Sequence, residues 1–597
     1  ERSFPEGMGE RPLKEWKEKT QLEGVICYLS EAAESLKVKK VPGLWLPVLP
    51  ERLLLKELEP EKDAEKDEKK KPEEVPEEAS EEASGKVPGT ASVKKSLLCV
   101  SAGLVDDPEN QRQFPLRICF PGCGHIAVCG SVGSGKSTFL QTLLYYISEH
   151  YLPEQVNFYL LESGNRHKVF ENLPHTGGWI NHSDAKKQEH FFYMLSKITD
   201  SRKERFHGIS YEDLEPEERA GNPYLLVLLD DYAAFREKTG DLYENQLTTL
   251  SREGASLGIF LIIASGGYGS KEIPQRLHEN MKTVLCLEMT DRFSYAEILH
   301  SARVETIPEH NVRGRGIVCL SGKVLEFQTA LCFSGEEPER QKRIREFAAR
   351  KAQTCGTAAA GKIPVIPDPF LLEEFAGWPE VKEQMKIPGF FPVGCSRQSA
   401  EVYSITWKEP GGFLITGSQG SGRKNFLKVL SFVFRLKGGR SVLLDAGDME
   451  ETAGVLETLK DYAESTPVLI CIPDLWALLE AAAGKGRETL ALLEKCIGAY
   501  REKPFYTAAV MDISEKTKLA GYTIFPLLMK NKRGVHFGGS PGGSRLLSLD
   551  YLGYQEQSRA LEPGIALISA QGNEIPPVVV VPLAAGGNYQ ETGREKK

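Results

Sequence analysis

Nowhere in this chain do about 18 apolar residues run together, the length a membrane span requires, so none of these residues is expected to cross a bilayer. The charged start, apolar middle and cleavage site of a secretory signal are missing too. Positive charge is not in excess. The 83 acidic residues outnumber the 74 basic ones and leave a net charge of -9, which argues against a general coat for nucleic acid. The 12 cysteines are scattered, with Cys119, Cys123 and Cys129 as the sole close group. No facing pair completes a zinc pattern, so all are read as reduced core thiols of a cytosolic protein. The chain starts at Glu1 rather than Met, and is expected to be part of a longer protein.

A length of 597 residues suggests several domains. A stretch from Glu59 to about Lys95 is nearly all Glu, Lys, Asp, Pro, Ala and Ser, too polar to bury a core, and is read as a flexible insertion. Arg350 to Lys362, rich in Ala and Gly, marks a second break. Between them lies an internal repeat. "LPVLPERLLLKEL" from Leu46 matches "IPVIPDPFLLEEF" from Ile363, and glycine-rich loops begin at Gly130 and Gly417. The lead-ins are about 317 positions apart and the loops about 287, a difference close to the length of the polar insertion. The reading is therefore one module used twice. A lead-in occupies 1–58, the insertion 59–95, the first module 96–335, a linker 336–362, the second module 363–586, and a disordered tail 587–597. In each half, continuous apolar runs such as "YLLVLLD" and "IFLIIAS" alternate with helical stretches. That predicts an α/β fold, with parallel sheets buried by helices on both faces.

"GSVGSGKST" supplies the first candidate site: Gly130, Ser131, Val132, Gly133, Ser134, Gly135, Lys136, Ser137 and Thr138. It follows an apolar strand and opens an apolar helix. The glycines let backbone amides fold around phosphate oxygens, and the helix N-terminus adds its positive end. Lys136 reaches the β- and γ-phosphates of ATP and Ser137 ligates Mg²⁺ in this motif. The run "PYLLVLLDDY" then ends in Asp230, placed to hold Mg²⁺ through its water shell, and Asp231, placed to orient or deprotonate the attacking water. Ser265, at the end of "IFLIIAS", is a candidate γ-phosphate sensor.

These residues resemble the FtsK/SpoIIIE-type motor ATPases, most closely the EssC/EccC branch of type VII (ESX, WXG100) secretion systems. The resemblance rests on "LESGNRHKVFENLPHTGGWI", "SRKERF", "SREGASLGIFLIIAS", "LWLPVLP", and "RGRGIVCLSGKVLEFQTA" with Phe327 and Gln328. It implies two tandem RecA-like P-loop modules, ATP with Mg²⁺, and a role in exporting WXG100-type proteins. It also implies a homo-hexamer within a membrane secretion complex, this chain being a cytoplasmic portion behind an anchor that lies elsewhere. No nucleic acid is expected as partner. An arginine from a neighbouring subunit would reach the γ-phosphate, with Arg202 or Arg205 as the candidates and Arg252 as a further one. Two departures bear on turnover. Relatives usually carry Asp-Glu where this chain has Asp230-Asp231, and the shorter carboxylate falls short by about 1–1.5 Å, against about half an ångström of catalytic slack. "ASGGYGS" also lacks the Gln that often ends the sensor strand.

In the second loop, "GSQGSGRKN", Arg423 takes the lysine position, Lys424 the hydroxyl position and Asn425 the next. An ammonium cannot ligate Mg²⁺, and Arg is no substitute for Lys in a tight cradle. "TPVLICIPDLW" aligns with "PYLLVLLDDYA", so Pro473 stands where Asp230 does and Asp474 where Asp231 does. The second module is thus read as degenerate, structural or substrate-docking. Two other readings remain open at this point, a DNA translocase sharing the fold and a non-hydrolytic ATP-binding scaffold.

Overall fold

In the computed structural model, two sheets are built in one strand order. It describes residues 20–37, 46–58, 98–268, 272–299, 304–354, 359–460, 465–485, 487–498, 503–541, 546–549, 560–570 and 575–584, with residues 462, 552 and 558. The polar insertion read at 59–95 and the tail read at 587–597 lie outside them.

The first sheet comprises β1 (Leu53–Leu54), β2 (Leu98–Asp107), β3 (Arg112–Phe120), β4 (Ile126–Cys129), β5 (Val156–Glu162), β6 (Thr176–Asn181), β7 (Tyr224–Asp230), β8 (Ile259–Ser265), β9 (Thr283–Leu287), β10 (Arg315–Leu320) and β11 (Lys323–Leu331). In space they run β3-β2-β11-β10-β9-β4-β8-β7-β5-β6, with β1 beside β11. From β9 to β6 every pairing is parallel.

The second sheet comprises β12 (Phe390–Ser396), β13 (Val402–Thr406), β14 (Gly411–Gly417), β15 (Arg440–Leu443), β16 (Val468–Ile472), β17 (Phe505–Met511), β18 (Gly534–Gly539), β19 (Leu561–Ile568) and β20 (Val578–Val580). Its order, β13-β12-β20-β19-β18-β14-β17-β16-β15, repeats the first strand for strand, and β6 alone has no counterpart among the described residues. The lead-ins repeat too. Leu54 pairs in parallel with Leu331, and Leu371, its partner in the sequence alignment, pairs in parallel with Leu583.

Parallel strands covered by helices on both sides need no polar face, and every residue of β5, β7 and β8 is buried. In the second module, alternation along each strand separates two cores. Phe413, Ile415, Leu469 and Cys471 pack in one, while Leu414, Ile470 and Ile472 pack in the other.

Two sequence expectations meet different facts. Cys99 and Cys119 are not free thiols but a disulfide, because antiparallel pairing of β2 and β3 sets them directly opposite with Cα atoms 4.1 Å apart. The segment read as a linker at 336–362 carries the helix Glu337–Thr354, whose Ile344, Phe347 and Ala348 belong to the first core. The chain then follows β6. Ala360 N–H donates to Pro174 O at 2.7 Å, Ile363 N–H to Gly177 O at 3.2 Å, and the Tyr159 hydroxyl to Gly361 O at 2.9 Å.

Candidate nucleotide site

Between β4 and the helix Lys136–His150, the loop Gly130–Gly135 turns back on itself. Gly133 and Gly135 sit at φ 87° and 116°, a region that disfavours side chains. A Cβ on Gly135 would also lie 2.9 Å from Gly314 N. Neighbouring elements fix the loop: Ser131 N–H donates to Glu288 O at 2.8 Å, and Gly314 N–H donates to Ser134 O at 2.8 Å. A cavity of about 770 Å³ opens over it, lined among others by Lys136, Thr138, Asp231, Arg313 and Gln328. Val132 stands at its mouth, fully exposed.

Lys136 curls over the loop and donates to Gly130 O at 2.6 Å and Ser131 O at 3.0 Å. Burial lowers its pKa from the usual lysine value, against the pull of Asp230 and Asp231. Ser137 Oγ donates to Asp230 Oδ2 at 2.7 Å, and His167 Nε2 lies 3.0 Å from the same oxygen. Burial alone would raise the Asp230 pKa, yet His167, Ser137 and Lys136 together hold it at about 2. Burial likewise opposes a charge on His167, but Asp230 outweighs it and the imidazole pKa is raised.

Asp231 adopts the left-handed region at φ 66° and caps the next helix, its Oδ1 accepting from Ala234 N–H at 3.2 Å while Oδ2 accepts from Ser163 Oγ at 3.3 Å. Ser265 ends β8 as expected, but its hydroxyl donates to Glu272, which also accepts from Gly266 N–H at 3.0 Å.

The arrangement fits a magnesium nucleotide. Loop glycines and Lys136 line the cavity, and Ser137 and Asp230 offer hard oxygens at its side. Sequence reasoning assigned no role to His167, Glu162 or Glu272. His167 lies inside a segment quoted above for its resemblance, but a loop histidine carries no period that would betray its partner.

The arginine assignment needs correction at Arg202. It is 4% exposed, and its guanidinium donates to Leu257 O at 2.7 Å and Pro223 O at 2.6 Å. Held inside the subunit in this way, it cannot reach a neighbour's phosphate. Arg205 and Arg252 are exposed.

The second loop keeps the backbone of the first. Gly420 and Gly422 take φ 79° and 113°, and Gly564 N–H donates to Ser421 O at 3.0 Å, as Gly314 does to Ser134. The side chains have turned elsewhere. Arg423 donates to Met511 O at 2.8 Å and lies 3.5 Å from Asp512 Oδ2. Asn425 holds the C-terminal strand region through Pro582 O and Ala584 N–H, both at 2.9 Å. Strand register sets Pro473 at the place of Asp230, since Asp230 pairs with Ala264 and Ile472, one residue earlier, pairs with Ala509. Asp474 then caps its helix through Ala477 N–H at 2.9 Å, as Asp231 does.

Residues 95–224 match the FtsK/SpoIIIE family. The ESX secretion system protein EccC of Geobacillus thermodenitrificans is 27% identical over 429 residues, 70% of this chain and 26% of its own length. Type VII secretion system protein EssC of Staphylococcus aureus (strain MRSA252) is 24% identical over 408 residues, 67% of this chain and 25% of its own. Among solved structures, EssC (ATPases 2 and 3) from Geobacillus thermodenitrificans superposes with a TM-score of 0.68 at 21% identity, covering 90% of this chain and 100% of that one. Thermomonospora curvata EccC (ATPases 2 and 3), solved in complex with a signal sequence peptide, gives 0.51 at 17% identity over 83% of this chain and 94% of that one. The fold is therefore a tandem of RecA-like P-loop modules. The chain carries an FtsK/SpoIIIE domain and is a homologue of the EccC/EssC type VII secretion ATPases. It spans about a quarter of the length of the curated relatives it matches.

Proposed function

We propose that this chain is a nucleotide-driven part of a type VII secretion motor, and that its first module alone binds ATP with Mg²⁺. The observation carrying this reading is the Ser137–Asp230 hydrogen bond beside Lys136, set against Arg423, Lys424 and Pro473 on the same backbone in the second module. Lys136 would leave the loop carbonyls for the phosphates. Ser137 and Asp230 would hold Mg²⁺, and Asp231 would orient the attacking water. Arg205 and Arg252 are the finger candidates that stay exposed. Small helical WXG100-type proteins would be the exported substrates, homo-hexamers at the cytoplasmic face of a membrane complex the working form, and the second module a structural or docking element.

A second reading, ATP as a ligand that is bound and slowly turned over, draws support from Asp231. Both of its oxygens already accept hydrogen bonds, and its carboxylate is one carbon shorter than the glutamate usual in relatives. The test is ATP binding and turnover by the assembled protein, with and without substrate protein, beside a Lys136→Ala variant. Binding lost in the variant, with slow turnover that substrate accelerates, is the expected result. Binding that ignores Lys136 would defeat the nucleotide assignment. Binding with no turnover under any condition would leave the scaffold reading and remove the motor.

A further inference from the structure

Among the described residues, Glu162, His167 and Asp230 are drawn together with one ligand atom of each within 4.8 Å of the others. Glu162 and His167 are 2% exposed and Asp230 is 9%. They come from different elements: Glu162 ends β5, Asp230 ends the neighbouring β7, and His167 stands in the loop that leaves β5. The main-chain N–H of His167 donates to both oxygens of Glu162 at 3.1 and 3.2 Å, and the Trp179 indole N–H donates to Oε1 at 2.5 Å. These bonds fix the glutamate while leaving acceptor capacity on Oε2. Asp230 Oδ2 faces Ser137 and His167, whereas its Oδ1 accepts no hydrogen bond from the described residues.

Two buried carboxylates therefore face a single imidazole. A charged imidazole and the Lys136 ammonium both bear on Asp230, while Glu162 is held by neutral N–H donors, and an uncompensated buried charge is costly. A divalent cation would complete the balance. The donor set also has a preference: oxygen alone suits Mg²⁺, whereas an imidazole beside carboxylates favours transition-class ions. The second module offers no copy, because Pro473 stands at the place of Asp230.

We propose that Glu162, His167 and Asp230 form a binding site for a transition-class divalent cation, occupied without any need for nucleotide. His167 gives up its Nε2 proton on binding and becomes the nitrogen ligand, and the two carboxylates supply oxygen. This inference shares Asp230 with the magnesium side of the nucleotide reading but requires neither Lys136 nor the loop amides.

Mn²⁺ is the suitable probe, because buried and exposed free thiols elsewhere in the chain compete for softer ions. The metal-stripped, nucleotide-free chain is titrated with Mn²⁺ and followed by electron paramagnetic resonance, with Mg²⁺ as competitor. One tightly bound Mn²⁺ is expected, carrying a nitrogen modulation from imidazole, and displaced by Mg²⁺ only at more than about tenfold excess. His167→Gln keeps an N–H donor toward Asp230 but lacks the ligand nitrogen. It should lose the modulation and at least about tenfold in affinity, while its melting temperature reports that it still folds. Glu162→Gln should weaken binding without removing the modulation. Bound Mn²⁺ with no nitrogen signal, equal affinity in His167→Gln, or no Mn²⁺ binding at all would overturn the assignment. ADP binding in chelator is measured in parallel. Its dependence on Lys136 tests the nucleotide reading separately, so either reading can fail while the other stands.

Discussion

Ser137 Oγ donates to Asp230 Oδ2 at 2.7 Å across 93 residues of sequence, joining the first turn of the helix Lys136–His150 to the end of β7, the second strand from β4 in the sheet order β4-β8-β7. The bond holds in register the two groups proposed above for the magnesium side. Ser137→Ala removes the donor and leaves a carboxylate facing a gap. A hydrogen bond to a charged group contributes about 1.5–3 kcal/mol, which corresponds to roughly 10–100-fold in affinity. The expected result is a loss of that size in Mg²⁺-dependent ATP binding, with binding in chelator nearly unchanged. Calorimetry with and without Mg²⁺ separates the two, and an equal loss in both would contradict the assignment.

Arg202 supports the fold, and its removal should cost stability. Arg202→Ala leaves Leu257 O and Pro223 O without their donor inside the protein. Unpaired buried acceptors cost about 1–3 kcal/mol each, so a loss of about 2–5 kcal/mol is expected in urea unfolding. Arg205→Ala, at an exposed position, should change stability by less than about 0.5 kcal/mol. If it acts as a finger, turnover by the assembled protein drops while nucleotide binding holds. The opposite pattern, a stable Arg202→Ala variant that binds but does not turn over, would restore Arg202 as the finger.

Much of this site could be read from the sequence, and what escaped has physical reasons. Lys136 and Ser137 were legible because the loop is local: spacing alone fixes which groups line it. Asp230 was legible because a fully buried parallel strand has one polar way to end. Arg202 misled because it was assigned by its position in "SRKERF", as the resemblance implies, and not by its place on the helix. The signal against it was present, since Leu195, Thr199, Arg202 and Phe206 follow helical spacing and are all buried. The Cys99–Cys119 bond and the His167–Asp230 contact depend on strand register and a 63-residue separation, which no local pattern encodes. The second loop was legible as a P-loop by its glycines and as degenerate by Arg423 and Lys424. That Arg423 points at Asp512 instead of filling its own cradle required coordinates.

Stability should fall in mildly acidic solution because of buried histidines. His125 is 2% exposed, its Nδ1 accepts from Leu261 N–H at 2.9 Å, and burial lowers its pKa to about 4. His182, 3% exposed, is lowered to about 4 for the same reason. In the unfolded chain both titrate near the ordinary value of about 6.5. Between about pH 6.5 and 4 the unfolded state thus binds more protons, so stability rises with pH there. The contribution is complete above about 6.5 and is lost as pH falls toward 4. Each histidine gives a slope of about 1.4 kcal/mol per pH unit within that window. Urea unfolding from pH 7.5 to 5 should show it, and His125→Gln should remove about one proton's share. An unchanged slope in that variant would contradict the buried neutral state.

The second loop should be repairable, because its backbone never left the phosphate-binding form. Gly420 and Gly422 keep the positive φ of Gly133 and Gly135, and Ser421 O keeps its bond to a glycine N–H. Three side chains are wrong, and each fails for a different reason. Arg423 is committed to Met511 O and Asp512, Lys424 offers an ammonium where a hydroxyl belongs, and Pro473 has no carboxylate. Restoring one alone leaves the others in place, so Arg423→Lys or Pro473→Asp by itself should bind nothing new. The triple variant, Arg423→Lys with Lys424→Ser and Pro473→Asp, should take up a second Mg²⁺-nucleotide. Calorimetric titration with a non-hydrolysable ATP analogue would then move from one site per chain to two. The new site should disappear on returning Lys424→Ser to lysine, since an ammonium repels Mg²⁺ at ligand distance. A triple variant that folds, keeps the first site, and still binds one nucleotide would mean that the second loop was lost in its backbone as well as in its side chains.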